Sequence, residues 1–168
     1  MQKAFHLLQN AYDSFASIAA RTQSPLLLLI RLYWGWQFAQ SGWGKLHRLD
    51  QVAQFFATLG LPAPGLTALF IGLVECVGGT LFALGIGSRL ISLVLFVNMT
   101  VAYWTADREA FSSILSDPGK FYVADPYTFW FAALLILVFG PGFFAFDTLL
   151  RNRLGPQRLL DAEVQKSS

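Results

Sequence analysis

The chain has 168 residues, of which 55% are apolar and only 13% charged, with a net charge of +2. That length suits one domain rather than two, and the charged share is roughly half that of an ordinary soluble domain. So weak a charge excludes the basic field that nucleic-acid binding requires, and a lone cysteine, Cys76, excludes an internal disulfide, a dithiol redox centre and a Cys/His zinc site.

The first segment, residues 1–23, is no signal peptide, because Gln9, Asn10 and Asp13 interrupt its apolar residues. Phe5, Leu8, Tyr12, Phe15 and Ile18 recur at helical spacing instead, which predicts an amphipathic helix lying at a membrane surface. A frayed tail is the plainer alternative. Four long apolar runs follow. A bilayer core of about 30 Å needs about 20 helical residues, and spans are predicted over 24–43, 64–84, 88–106 and 126–147. The first opens on Ser24-Pro25 and the fourth on Asp125-Pro126, each a capping residue followed by proline. The fourth either kinks at Gly140-Pro141-Gly142 and completes its crossing, or ends there. Soluble burial is a poor alternative, since four such runs in so short a chain leave nothing to cover them.

Lys and Arg set the orientation. Lys3, Arg21, Arg89, Arg151, Arg153, Arg158 and Lys166 fall on one side, seven against the four (Lys45, Arg48, Arg108, Lys120) on the other. Both termini are therefore expected in the cytoplasm, with residues 151–168 as a basic cytoplasmic tail. Trp43, Tyr103, Trp104, Tyr127 and Trp130 form an aromatic belt at the outer ends. The short link Gly85-Ile86-Gly87 makes its neighbours antiparallel. The fold class is thus all-α: a four-transmembrane-helix antiparallel up-down bundle over residues 24–150. The two longer connections, 44–63 and 107–124, are expected to fold over the outer mouth.

Charge inside a span is the sharpest signal. Arg31 lies in the first and Glu75 near the middle of the second, where a charge costs at least ~2.5–3.5 kcal/mol unless it faces a partner or a cavity. Measured from Ser24, Arg31 is about 10 Å deep; measured from Gly85, Glu75 is about 15 Å deep, level with Asn98. Arg31, Gly35, Phe38, Gly42 and Lys45 form one stripe, and Ala68, Gly72, Glu75, Gly79 and Phe82 another, with small residues that let helices approach closely. Arg31 and Glu75 are expected to pair inside the bundle, with Asn98 hydrogen-bonded nearby. Such a pair serves equally well to fix helix register. Trp34 and Trp36 lie deep enough to stack on a flat apolar ligand, although packing against lipid is commoner. His47 reads as a solvated loop residue and Cys76 as a small packing residue.

Three stretches carry a family resemblance. LLIRLYWGWQFAQSGWGKL (28–46) resembles the first span of the DoxX/DoxD family of small bacterial membrane proteins, with its Arg followed by Gly, Phe, Gly and Lys-Leu. GLVECVGGTLFALGIGSRL (72–90) is similar to the family's second span, and GPGFFAFD (140–147) to its Gly-Pro-Gly turn with a following Asp. The resemblance implies a four-helix bundle in the bacterial inner membrane. It further implies membership of a thiosulfate:quinone oxidoreductase or of a redox-stress complex, although no thiosulfate site is recognisable. On that reading Glu75 and Arg31 are the catalytic candidates and Asn98, Trp34 and Trp36 the quinone contacts. No covalent cofactor is expected, and no heme, flavin or iron–sulfur signature is present, so electrons would come from a partner subunit. The bilayer is the first partner; a homo-oligomer stays open. The competing reading is a non-catalytic membrane anchor or assembly factor for another protein, with the charged residues purely structural.

Overall fold

A backbone surrounded by apolar side chains and little water must satisfy its own hydrogen bonds, and the helix does so within one segment. The computed structural model describes residues 2–153, which fold into eight helices with no strand among them. The tail beyond residue 153, and the side chains of Phe5 and Leu8, lie outside the described residues. α1 (Gln2–His47) runs on through Pro25, so Ser24-Pro25 does not start a helix. Proline removes one N–H from the ladder, a loss that a helix of 46 residues absorbs without stopping. α2 (Leu49–Thr58) follows, then α3 (Pro64–Leu84), α4 (Ser88–Thr105), α5 (Arg108–Ser112), α6 (Pro118–Val123), α7 (Tyr127–Phe139) and α8 (Phe146–Arg153). Gly140, at φ 81°, ends α7, and the chain passes through a loop before α8.

The C-terminal half of α1 packs with α3, α4 and α7 as a closed ring: α1 on α3, α3 on α4, α4 on α7, and α7 back on α1. Leu27, Phe38, Phe82, Leu95, Met99, Ala133 and Ile136 fill the middle. Outside the ring the side chains are also apolar, with Leu66, Phe70 and Val77 of α3 and Leu90 and Val97 of α4 largely uncovered. A contiguous apolar surface of that kind marks a face made for lipid or for another protein. α3 and α4 are each long and apolar enough to cross a bilayer, whereas α7 is apolar but shorter.

Close approach of α1 to α3 sets the register of the ring. A Cβ added at Gly35 would stand 2.7 Å from that of Ala83, and one at Gly79 would stand 2.6 Å from that of Phe38. At Gly42 it would collide with the backbone of Cys76. Helix backbones touch here, as the two small-residue stripes predict. Gly42 therefore sits opposite Gly72 and Cys76, Gly35 opposite Gly79 and Ala83, and Arg31 opposite Gly85.

The two ends of the ring differ. At one end Asp147 of α8 reaches the turn between α3 and α4: its Oδ1 accepts from the N–H of Gly87 at 2.8 Å and its Oδ2 from the N–H of Ser88 at 2.7 Å. The first turn of a helix carries donors with no internal acceptor, and a carboxylate there also meets the positive end of the helix dipole. The Asp147 N–H in turn donates to Gly85 O at 3.1 Å, which closes the end. The other end is covered by α2, α5 and α6 rather than sealed.

Replacing Gly42 with leucine should force α1 and α3 apart and cost about 1–3 kcal/mol or more. Gly44→Ala meets nothing within 4 Å and should be neutral or slightly stabilising. Unfolding of the two variants in detergent micelles, followed by circular dichroism, measures the contrast.

Candidate functional site

Glu75 is 2% exposed, and a carboxylate taken so far out of water stays charged only if donors surround it. Three side chains do so. Its Oε1 accepts from Asn98 Nδ2 of α4 at 3.1 Å. Its Oε2 accepts from Ser41 Oγ of α1 at 2.9 Å and forms a salt bridge with the Lys45 ammonium. Lys45 also donates to Ser41 Oγ at 2.8 Å, a contact that spacing of four along α1 makes natural. Three helices thus converge on one acid. Asn98 was legible from its level with Glu75. Ser41 and Lys45 were not assigned to the site, although Lys45 lies on the Arg31–Gly42 stripe.

Arg31 does not pair with Glu75. It is 1% exposed at the opposite end of the ring, where its Nη2 donates to Phe144 O at 2.9 Å and its guanidinium packs directly on Gly85. Its Nε and Nη1 have no hydrogen-bond partner among the described residues. The expected pairing fails because Ser24 is not an end of α1, so depth measured from Ser24 has no meaning. In the register set by the glycines Arg31 is level with Gly85, while Glu75 is level with Ser41. The separation along α1 is about ten residues, or about 15 Å.

Beside Glu75 lies a cavity of about 380 Å³, within the range of small-molecule sites. Glu75, Asn98, Ser41 and Lys45 supply its polar floor. Phe38, Met99 and Phe129 form part of the apolar wall, with the Phe38 and Phe129 rings edge to face at 4.8 Å. α2 closes over it with Phe55 and Phe56, so the connection 44–63 does fold across this end. Neither Trp34 nor Trp36 borders the cavity. Trp34 packs edge-on against Phe129 at 5.2 Å, deeper in the ring, and Trp36 is 62% exposed on the outer face of α1. Aromatic side chains spaced two apart on a helix point to different sides, which is why both cannot serve one site.

Asp107 and Asp125 stand at the rim of the cavity. The nearby cations are held elsewhere: Lys120 by Glu109 at 2.6 Å, and Arg108 over the Trp104 ring at 5.1 Å. Burial first, and then the charge of Asp125, raise the Asp107 carboxyl above the usual aspartate range.

Two outcomes follow from this geometry. Lys45→Met strands the Glu75 charge and should cost about 3–5 kcal/mol in denaturant unfolding, most of which the double variant with Glu75→Leu should regain. Asp107, with its folded-state pKa raised, holds a proton more tightly in the folded chain than in the unfolded one. Its contribution to stability therefore declines as pH rises from about 4 through the raised value. Asp107→Asn should raise the unfolding temperature at pH 7 and leave it nearly unchanged at pH 4, as thermal melts at the two values will measure.

Residues 26–108 match the family model described as DoxX. No curated protein and no solved structure matches the chain. The matched stretch holds Ser41, Lys45, Glu75 and Asn98, the whole polar floor, together with the two helices that, among the described residues, are long and apolar enough for a bilayer. The chain is a membrane protein and belongs to the DoxX family.

Proposed function

We propose that this protein crosses the bacterial inner membrane four times, with both termini in the cytoplasm, and binds a quinone in the cavity beneath α2 as the membrane subunit of a quinone-linked oxidoreductase. One observation carries the reading: a buried carboxylate with three donors floors an apolar, aromatic-walled cavity of about 380 Å³. A quinone head group is flat and apolar across its faces and carries carbonyl oxygens at its edge, and the lining offers both kinds of contact. The four crossings would be residues 24–43 of α1, then α3, α4 and α7. The cation count, seven against four, supports this orientation.

When bound, a quinone supplies a two-electron, two-proton acceptor. The chain's own residues do the rest. Asn98 Nδ2 and the Lys45 ammonium can each turn a hydrogen toward a carbonyl oxygen seated on the floor. Lys45 and Glu75 lie next to that oxygen, in a site where low dielectric strengthens each contact. Phe38 and Phe129 keep the ring in place and bulk water away. Arg31 takes no part, being at the other end of the ring. Electrons would arrive from a partner protein.

Binding of decylubiquinone to the protein in lipid nanodiscs tests the reading. Glu75→Gln and Asn98→Leu should each weaken it about tenfold, the worth of one good hydrogen bond. Unchanged affinity in both variants, with their folds intact by thermal melting, would remove the quinone.

A further inference from the structure

Four residues that line the cavity are also exposed: Ala106 and Asp125 beyond the end of α4, and two apolar ones within helices, Phe55 of α2 at 53% and Val101 of α4 at 43%. A residue can do both only at an opening. α2 packs chiefly on α3, so the α2 and α4 sides of the cavity are at most weakly joined. Phe55 and Val101 are thus the two jambs of a gap in the wall. Val101 lies four residues before the end of α4, about 6 Å inside a helix apolar enough for a bilayer. That gap is flanked by apolar side chains and opens at the depth of acyl chains. The polar part of the rim, with Asp107 and Asp125, lies beyond the end of α4.

We infer that the gap between Phe55 and Val101 is a lateral portal, through which the ligand enters from the bilayer and out of which its apolar tail projects when the head group rests on Glu75 and Asn98. This rests on the quinone reading above and extends it to a substrate class: a membrane-dissolved quinone with a long tail, not a water-borne one. The cavity itself supports the restriction. At about 380 Å³ it would hold a ring with a ten-carbon chain only if filled almost without gaps, tighter than protein interiors pack, so the chain is better placed leaving by an apolar route. The charges lining the cavity, Glu75, Asp107 and Asp125 against Lys45, also disfavour an anion arriving through the polar rim.

The test compares two probes in nanodiscs: decylubiquinone, and the tailless 2,3-dimethoxy-5-methyl-1,4-benzoquinone. Val101→Trp should obstruct the portal and weaken decylubiquinone about tenfold while leaving the tailless ring within about twofold. Phe55→Trp, built from the opposite jamb, should do the same and guards against misfolding of either variant. Val97→Trp, on the outer face of α4 but away from the cavity, should change neither probe. Equal loss of both probes in the two jamb variants, or loss of neither, would overturn the portal while leaving the quinone reading standing. Failure of the unsubstituted protein to bind either probe would overturn both.

Discussion

Glu75 is the charge around which the molecule is arranged. Transfer of a carboxylate into an apolar interior is prohibitive without donors, and this chain supplies them from two other helices. Lys45 and Ser41 fix the end of α1 against α3, and Asn98 fixes α4 against the same point. A pair of this kind adds little net stability compared with well-packed apolar residues. Its structural value is alignment: only one sliding position of α1 and one of α4 satisfies all three donors together.

The glycines make that alignment reachable. With Gly35 and Gly42 against Gly72 and Gly79, the backbones of α1 and α3 come into contact, and a lysine at the end of α1 is then close enough for its ammonium to meet a carboxylate in the middle of α3. Elsewhere the helices stand further apart, and the space left beside Glu75 is the cavity. One end of the ring is tied shut by Arg31 and Asp147, while the other is roofed by α2. Rigidity and access are therefore divided between opposite ends of the same bundle.

Much of this was legible in the amino-acid order. The apolar runs at α3 and α4, both small-residue stripes and the shared level of Glu75 and Asn98 follow from helical spacing alone, which the chain obeys. The partner of Glu75 was not legible, because depth along a helix needs an origin and Pro25 offered a false one. Lys45 sits on the stripe that faces α3, yet its place next to a loop suggested solvent. Phe55 and Phe56 were hidden for a different reason: a short connecting helix shows its inner face only once the element beneath it is known. Trp34 and Trp36 drew attention by their depth, and depth says nothing about the direction in which a side chain leaves its helix.

Asp147 has a consequence for how the chain is made. The donors that open α4 receive their acceptor from a residue synthesised 59 positions later than Ser88. While the ribosome is still extending the chain, α4 has been delivered but its leading edge stays unfinished, and any product that terminates prematurely keeps it so. The carboxylate thus acts as a completion mark: that corner locks only once the chain has been made as far as Asp147, at the start of α8.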